Sequence, residues 1–224
     1  MAEKFNSDTE LSPKELASHL RKPNGETGKQ VGVFMNKGNK HICLNSYQIL
    51  NPKNGDHILE IGMGNGFFVN HLLSMESNLK YTGVDFSDTM VKEANLINKE
   101  LIDKKRVVFK EASIEKLPFT DNSFDSITTT NTIYFWPQPT RNISELIRVL
   151  KPNGKLLIAY RSKSCMDQLE LAKHGFEKYE NQDVESLLKN AGFKAISTET
   201  IKEPELEFDG KAFQMVGIYT TAIK

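Results

Sequence analysis

The chain has 224 residues, 38% of them hydrophobic, enough for one domain with a substantial core. Its 29 Lys and Arg balance 29 Asp and Glu, and zero net charge argues against broad electrostatic binding to nucleic acid or an anionic membrane. No apolar run approaches the ~18 residues of a membrane span, Met1 to Glu10 lack a signal-peptide core, and Cys43 and Cys165 show no CxxC spacing, so the expectation is a cytoplasmic protein with inert, reduced thiols.

Ser12-Pro13-Lys14-Glu15 reads as a capping box with proline at the first helical position, predicting a short helix over 12–20. Residues 21–30, rich in Gly, Pro, Asn and Lys, read as a loop. A helix over about 40–50 ends at Asn51-Pro52. From residue 57 strands and helices alternate: strand His57–Ile61, a helix from Phe67 to Leu73, strand Tyr81–Val84 closed by Asp85. Ser87 caps the next helix, with Val91, Ala94, Ile97 and Leu101 at helical spacing. Strands Val107–Phe109 and Phe124–Thr129 follow. Thr140 is read as the cap of a helix with an apolar face of Ile143, Leu146, Ile147 and Leu150, stopped by Lys151-Pro152-Asn153-Gly154. Lys155–Tyr160 is the fifth strand. Asp183–Asn190 is a helix closed by Gly192, and Phe193–Ile201 and Phe213–Ile223 are two last strands with a short connection.

This alternation predicts an α/β fold: a doubly wound, mostly parallel, seven-stranded Rossmann-like sheet. The last strand has no helix before it and should run antiparallel. Residues 1–50 are expected to form an N-terminal helical lid, and 51–224 the main domain. Together with 164–182, the N-terminal segment is expected to fold over a ligand and exclude water.

The ligand is indicated by Leu59-Glu60-Ile61-Gly62-Met63-Gly64-Asn65-Gly66, a strand end running into three alternating glycines. Such a turn lets backbone lie against a ligand, since glycine tolerates positive φ. In a doubly wound sheet it falls at the carboxyl ends of the strands, where ligands bind. Asp85, 19 residues after Gly66, ends the second strand and can accept hydrogen bonds from both hydroxyls of a ribose. The dinucleotide fingerprint GxGxxG would need glycine at Phe67; it falls one residue early here, which suits an adenosine ligand without a pyrophosphate. The helix start near Gly66 would then face a carboxylate.

Five motifs in order carry a resemblance: Glu60-Ile61-Gly62-Met63-Gly64-Asn65-Gly66, Gly83-Val84-Asp85-Phe86-Ser87, Glu115-Lys116-Leu117-Pro118-Phe119, Asn122-Ser123-Phe124-Asp125, and Arg148-Val149-Leu150-Lys151-Pro152-Asn153-Gly154-Lys155. Over about residues 50–201 the chain resembles the class I S-adenosylmethionine-dependent methyltransferases, in the small type 11 group that acts on small molecules. The resemblance implies that Glu60, Gly62, Gly64 and Gly66 wall the methionine part, that Asp85 binds the ribose, and that Phe86 packs on the adenine. Ile114 would line the adenine site, and Asn131 would contact the methionine group. The family usually carries an Asp where this chain has Ser113, a neutral and weaker acceptor for the adenine amino group.

The resemblance implies S-adenosylmethionine as cofactor and a small-molecule acceptor, with no nucleic acid or membrane partner, in a monomer or homodimer. Thr132-Ile133 stands where DNA amino-methyltransferases carry a Pro-Pro-aromatic motif. No His/Cys/Asp/Glu set has metal-ligand spacing, so metal-independent transfer by alignment is expected. Tyr134 and Trp136 could shape the acceptor pocket. Tyr134, His41 and His174 are the candidate bases, with Tyr160 and Lys163 near the fifth strand's end. The rival readings are an NAD-dependent oxidoreductase and a non-catalytic S-adenosylmethionine-binding protein.

Overall fold

The computed structural model describes residues 11–208 and 210–224. In chain order the elements are α1 (Pro13–Arg21), α2 (Gly25–Gly38), α3 (Lys40–Leu50), β1 (His57–Ile61), α4 (Val69–Ser74), β2 (Lys80–Asp85), α5 (Asp88–Ile97), α6 (Lys99–Asp103), β3 (Val107–Glu111) and β4 (Phe124–Thr130). There follow α7 (Pro139–Val149), β5 (Leu150–Arg161), α8 (Lys163–Met166), α9 (Asn181–Asn190), β6 (Lys194–Lys202), β7 (Leu206–Phe208), β8 (Lys211–Phe213) and β9 (Val216–Ile223). The first ten residues of the expected lid lie outside the described residues.

The main sheet has the order β3-β2-β1-β4-β5-β9-β6. The strands from β3 to β5 pair in parallel, and β9 runs antiparallel to both β5 and β6. This is the doubly wound, seven-stranded arrangement that the alternation of elements predicts. Side chains alternate across the sheet, so each strand feeds two cores. Leu59, Ile61, Leu156 and Ile158 pack with Ile143 and Leu146 of α7 and Val184 and Leu188 of α9 on one face. Ile58, Leu157 and Ala159 pack with Ile42, Tyr47 and Leu50 of α3 and Ala94 of α5 on the other. Helix α3 is thus part of the core, while α1 and α2 continue around the carboxyl ends of the strands.

Five local expectations are corrected. Residues 21–30 are not a loop: α2 begins at Gly25. The cause is tertiary contact. A Cβ on Gly28 would lie 2.7 Å from the Pro23 carbonyl carbon, and one on Gly32 would lie 2.9 Å from Met90 Cε. Glycine there serves close packing, which overrides its poor helix propensity. The helix expected to run to Leu101 breaks at Asn98, whose side chain donates to the carbonyls of Gly66 (3.1 Å) and Ala94 (3.0 Å). Ile97 is consequently exposed. The first helix after the glycine turn starts at Val69, two residues later than read. Thr140 is not the cap of α7; Pro139 occupies the first turn and Gln138 is the cap residue. The connection between the last two main strands holds the β7–β8 ribbon.

Alanine would normally favour a helix by ~1 kcal/mol over glycine. At Gly28 the clash with Pro23 backbone reverses the sign. Gly28→Ala is expected to cost about 1–3 kcal/mol, the range for overpacking, and to reduce amide-exchange protection across residues 13–38. Gly38→Ala, where a Cβ meets nothing within 4 Å, should leave that protection unchanged or slightly higher.

Candidate functional site

The glycine turn leaves β1 with Gly62, Gly64 and Gly66 all at positive φ, +70°, +59° and +67°. Their packing differs. A Cβ on Gly62 would sit 2.4 Å from Thr132 Cγ2, and one on Gly66 would sit 2.9 Å from Asn98 Nδ2 and 3.2 Å from Ala94 Cβ. Those two glycines let the turn pack against the segment after β4 and against α5. Gly64 has no atom within 4 Å of its Cβ position and lines a cavity of about 290 Å³. A side chain there would occupy ligand space.

Asp85 fastens this turn. Its Oδ2 accepts the Gly64 N–H at 3.0 Å and its Oδ1 accepts the Ser87 N–H at 2.9 Å. Each oxygen keeps acceptor capacity. Burial pushes the carboxyl up to about 6, against the amides of Ser87, Gly64 and Phe86 and the charge of Lys22, which favour the ionised form. Glu60 accepts the hydroxyls of Tyr47 (2.9 Å to Oε2) and Tyr81 (2.8 Å). Burial raises it to about 7, and the tyrosine hydrogen bonds oppose the rise. Glu60 therefore joins α3 to β1 and β2 directly beneath the turn.

All nine residues expected to hold the cofactor line the one cavity: Glu60, Gly62, Gly64, Gly66, Asp85, Phe86, Ser113, Ile114 and Asn131. The Lys22 ammonium lies 5.3 Å from the centre of the Phe86 ring. The Ser113 hydroxyl accepts the Glu115 N–H at 3.2 Å and reaches Glu115 Oε2 at 3.3 Å, so it is engaged in a local turn. Asn131, at φ +55°, donates to Asn39 Oδ1 at 3.0 Å and accepts the Tyr134 hydroxyl at 3.0 Å. Helix α2 reaches this site through Asn39. Pro23 and Gly25, at its start, are bonded to Ser87 Oγ and Thr89 Oγ1 on α5.

The candidate bases are not brought together. His41 and His174 are exposed and do not line the cavity. Tyr160 is buried in the core below α7 and α9, and Lys163 is exposed. Tyr134 does line the cavity, but its hydroxyl donates to Asn131 and accepts the Arg161 N–H. Burial raises it well above an ordinary phenol. Both bonds hold it in place. Trp136 lines the cavity with its Nε1 donating to Thr132 Oγ1 at 3.1 Å. Sequence reasoning missed Arg161, Tyr47 and Asn39, which also face the cavity. Among the described residues no group of three or more His, Cys, Asp or Glu is arranged to hold a metal ion, and no helix is long and apolar enough to cross a membrane.

A glycine cradle at the end of β1, an acidic residue at the end of β2 and an antiparallel strand beside β5 match the arrangement expected from the resemblance to class I S-adenosylmethionine-dependent methyltransferases. Residues 59–158 match the family model described as methyltransferase domain. An uncharacterized methyltransferase of Bacillus subtilis is 28% identical over 135 residues, covering 60% of this chain and 72% of that protein. A demethylmenaquinone methyltransferase of Clavibacter sepedonicus is 30% identical over 152 residues, 68% of this chain and 59% of that protein. The chain thus spans under two thirds of the latter's length. Among solved structures, Haemonchus contortus phosphoethanolamine N-methyltransferase 2 in complex with S-adenosyl-L-methionine has a TM-score of 0.69 at 18% identity, over 96% of this chain and 60% of that one. These comparisons support S-adenosylmethionine as the cofactor.

The two raised carboxyls set a pH dependence. Glu60 and Asp85 hold their protons more tightly folded, at about 7 and about 6, than at the ordinary 4.5 and 3.8. Their contribution to stability is full below those ordinary values and is lost as pH rises through the folded ones. In cofactor-free protein, Glu60→Gln is expected to flatten the fall in urea midpoint between about pH 5 and 7 and to raise stability at about pH 8.

Proposed function

We propose that this chain transfers the methyl group of S-adenosylmethionine to a small organic acceptor, without a metal and without a protein base, by aligning the two molecules. The observation that carries this reading is the Gly64 cradle, opening on the same cavity as Asp85, Phe86 and the aromatic segment after β4. Bound there, the cofactor supplies an already electrophilic methyl on a sulfonium.

The residues then have separate tasks. Asp85 takes the ribose hydroxyls on the acceptor capacity left by the two backbone amides. Phe86 and Ile114 enclose the adenine, with Lys22 over the outer face of Phe86. The backbone of Gly62 to Gly66 lies along the methionine part, and Asn131 orients it. Tyr134, Phe135 and Trp136 form the acceptor wall. Helices α1 and α2 and the segment after β5 cover the cavity, α1 against the single helical turn Glu170–Lys173. Water exclusion and near-attack geometry supply the rate. With Tyr134 engaged and the histidines outside, the acceptor must arrive as a nucleophile in its own right: an amine, an ionised oxygen or sulfur, or an electron-rich carbon.

Asp85→Ala is expected to weaken S-adenosylmethionine binding by roughly 1.5–3 kcal/mol, the range for hydrogen bonds to a charged group, as read by calorimetric titration. Unchanged affinity in a folded variant removes Asp85 from the ribose. Transfer of radiolabelled methyl across a panel of small acceptors tests the activity itself. On any acceptor found, His41→Ala and His174→Ala should each stay within about twofold of the unaltered chain, since neither side chain reaches the cavity; a loss of ~100-fold or more, the size of a general-base contribution, would reinstate it as a base.

A further inference from the structure

The cavity continues beyond the methionine wall. At ~4.8 Å between neighbouring strands, the end of β5 stands two strands, or about 10 Å, from β1. The side chain there is Arg161, which lines the cavity and is 3% exposed. Behind it, and not in the lining, stands Glu203, also buried. Arg161 NH1 lies 2.6 Å from Glu203 Oε1. The contact is close, yet among the described residues NH1 makes no hydrogen bond. Among the described residues NH2 reaches only the Gly38 carbonyl, at 3.4 Å. Tyr219 donates to Glu203 Oε1 at 3.2 Å and accepts from Asn45 at 3.1 Å, so the carboxylate is held from behind.

The wall beside it is largely apolar or aromatic, and its polar members Asn39 and Asn131 are bonded to each other and, through Asn131, to the Tyr134 hydroxyl. Tyr134, Phe135 and Phe176 stack edge-on or tilted, with Phe135 and Phe176 centroids 4.6 Å apart, and Met166 and Met215 complete the wall. A guanidinium has five N–H donors. Here Glu203 cancels its charge but does not satisfy its directions. A carboxylate brought beside it would give a buried group of three charges with net −1, against a second carboxylate already in place. An acceptor with no oxygen would leave buried N–H donors unpaired. A carbonyl oxygen takes the donors and adds no charge.

Building on the methyl-transfer reading, we propose that Arg161 is a specificity-determining residue, selecting acceptors whose apolar body carries an uncharged carbonyl oxygen over those carrying a carboxylate. Glu203 is the positioning residue that neutralises Arg161 and leaves its donors free.

The test uses the full chain loaded with S-adenosylhomocysteine and three probes of one shape: 2-acetylnaphthalene, 2-naphthoate and 2-isopropenylnaphthalene. Calorimetric titration is expected to give the ketone about tenfold tighter binding than either of the others, as for a hydrogen bond to a charged donor. In Arg161→Met combined with Glu203→Gln, which keeps the pair neutral, the ketone advantage should fall to within about twofold, with homocysteine-ligand affinity unchanged. Should that variant lose S-adenosylhomocysteine binding, Arg161→Lys, which gives up the planar fork, must lose at least about half the advantage. Naphthoate binding tightest, no ketone advantage in the unaltered chain, or an advantage that survives the variants each overturns the role of Arg161. Failure of the unaltered chain to bind S-adenosylhomocysteine overturns the methyl-donor reading beneath it.

Discussion

The site depends on one carboxylate holding two backbone amides. Asp85 joins the glycine turn after β1 to the first residue of the turn into α5. A turn with three residues at positive φ has little conformational preference of its own. The hydrogen bond from Gly64 gives it one, and the bond from Ser87 sets the helix that the turn packs against. Ser87 then caps α5 and reaches Pro23, and through it the start of α2. A disturbance at Asp85 is therefore felt in the cradle, in the cap of α5 and in the helices over the cavity.

Glu60 plays a complementary part from below. Two tyrosines from different layers, Tyr47 on α3 and Tyr81 on β2, converge on one buried carboxylate. Removing both hydroxyls would strand the carboxyl; removing the whole carboxyl would strand two hydroxyls. That mutual dependence fixes how α3 sits on the sheet, and α3 in turn brings the chain back over the carboxyl ends of the strands. Residues 11–50 thus divide: α3 belongs to the core, and α1 and α2 line the cavity.

Much of this was legible in the sequence because it is local. The alternation of strands and helices, the glycine spacing and an acidic residue at the end of the second strand place Gly62, Gly64, Gly66 and Asp85 around one cavity. What escaped was set by distant contact. The glycines of α2 read as loop residues, whereas Gly28 and Gly32 are there to let Pro23 and Met90 approach. Arg161 carries no local mark, because its partner Glu203 lies 42 residues further on, beyond α9 and β6. His41 and His174 attracted attention as titratable side chains near expected lids; the helical phase that turns His41 outward is set by Ile42 and Cys43 facing the core.

The placing of β9 also bears on how the sheet is completed during synthesis. β6 is made before β9, yet in the main sheet β9 is its sole neighbour and separates it from β5. Until residues 216–223 leave the ribosome, β6 has no hydrogen-bonding edge to join, and β5 offers an unpaired edge of its own. The nascent chain then holds two open strands with α9 between them, a state prone to pairing with other chains. Synthesis of the final strand closes both edges in a single event. Truncation of even a few residues from that strand would thus act on solubility before it acted on chemistry.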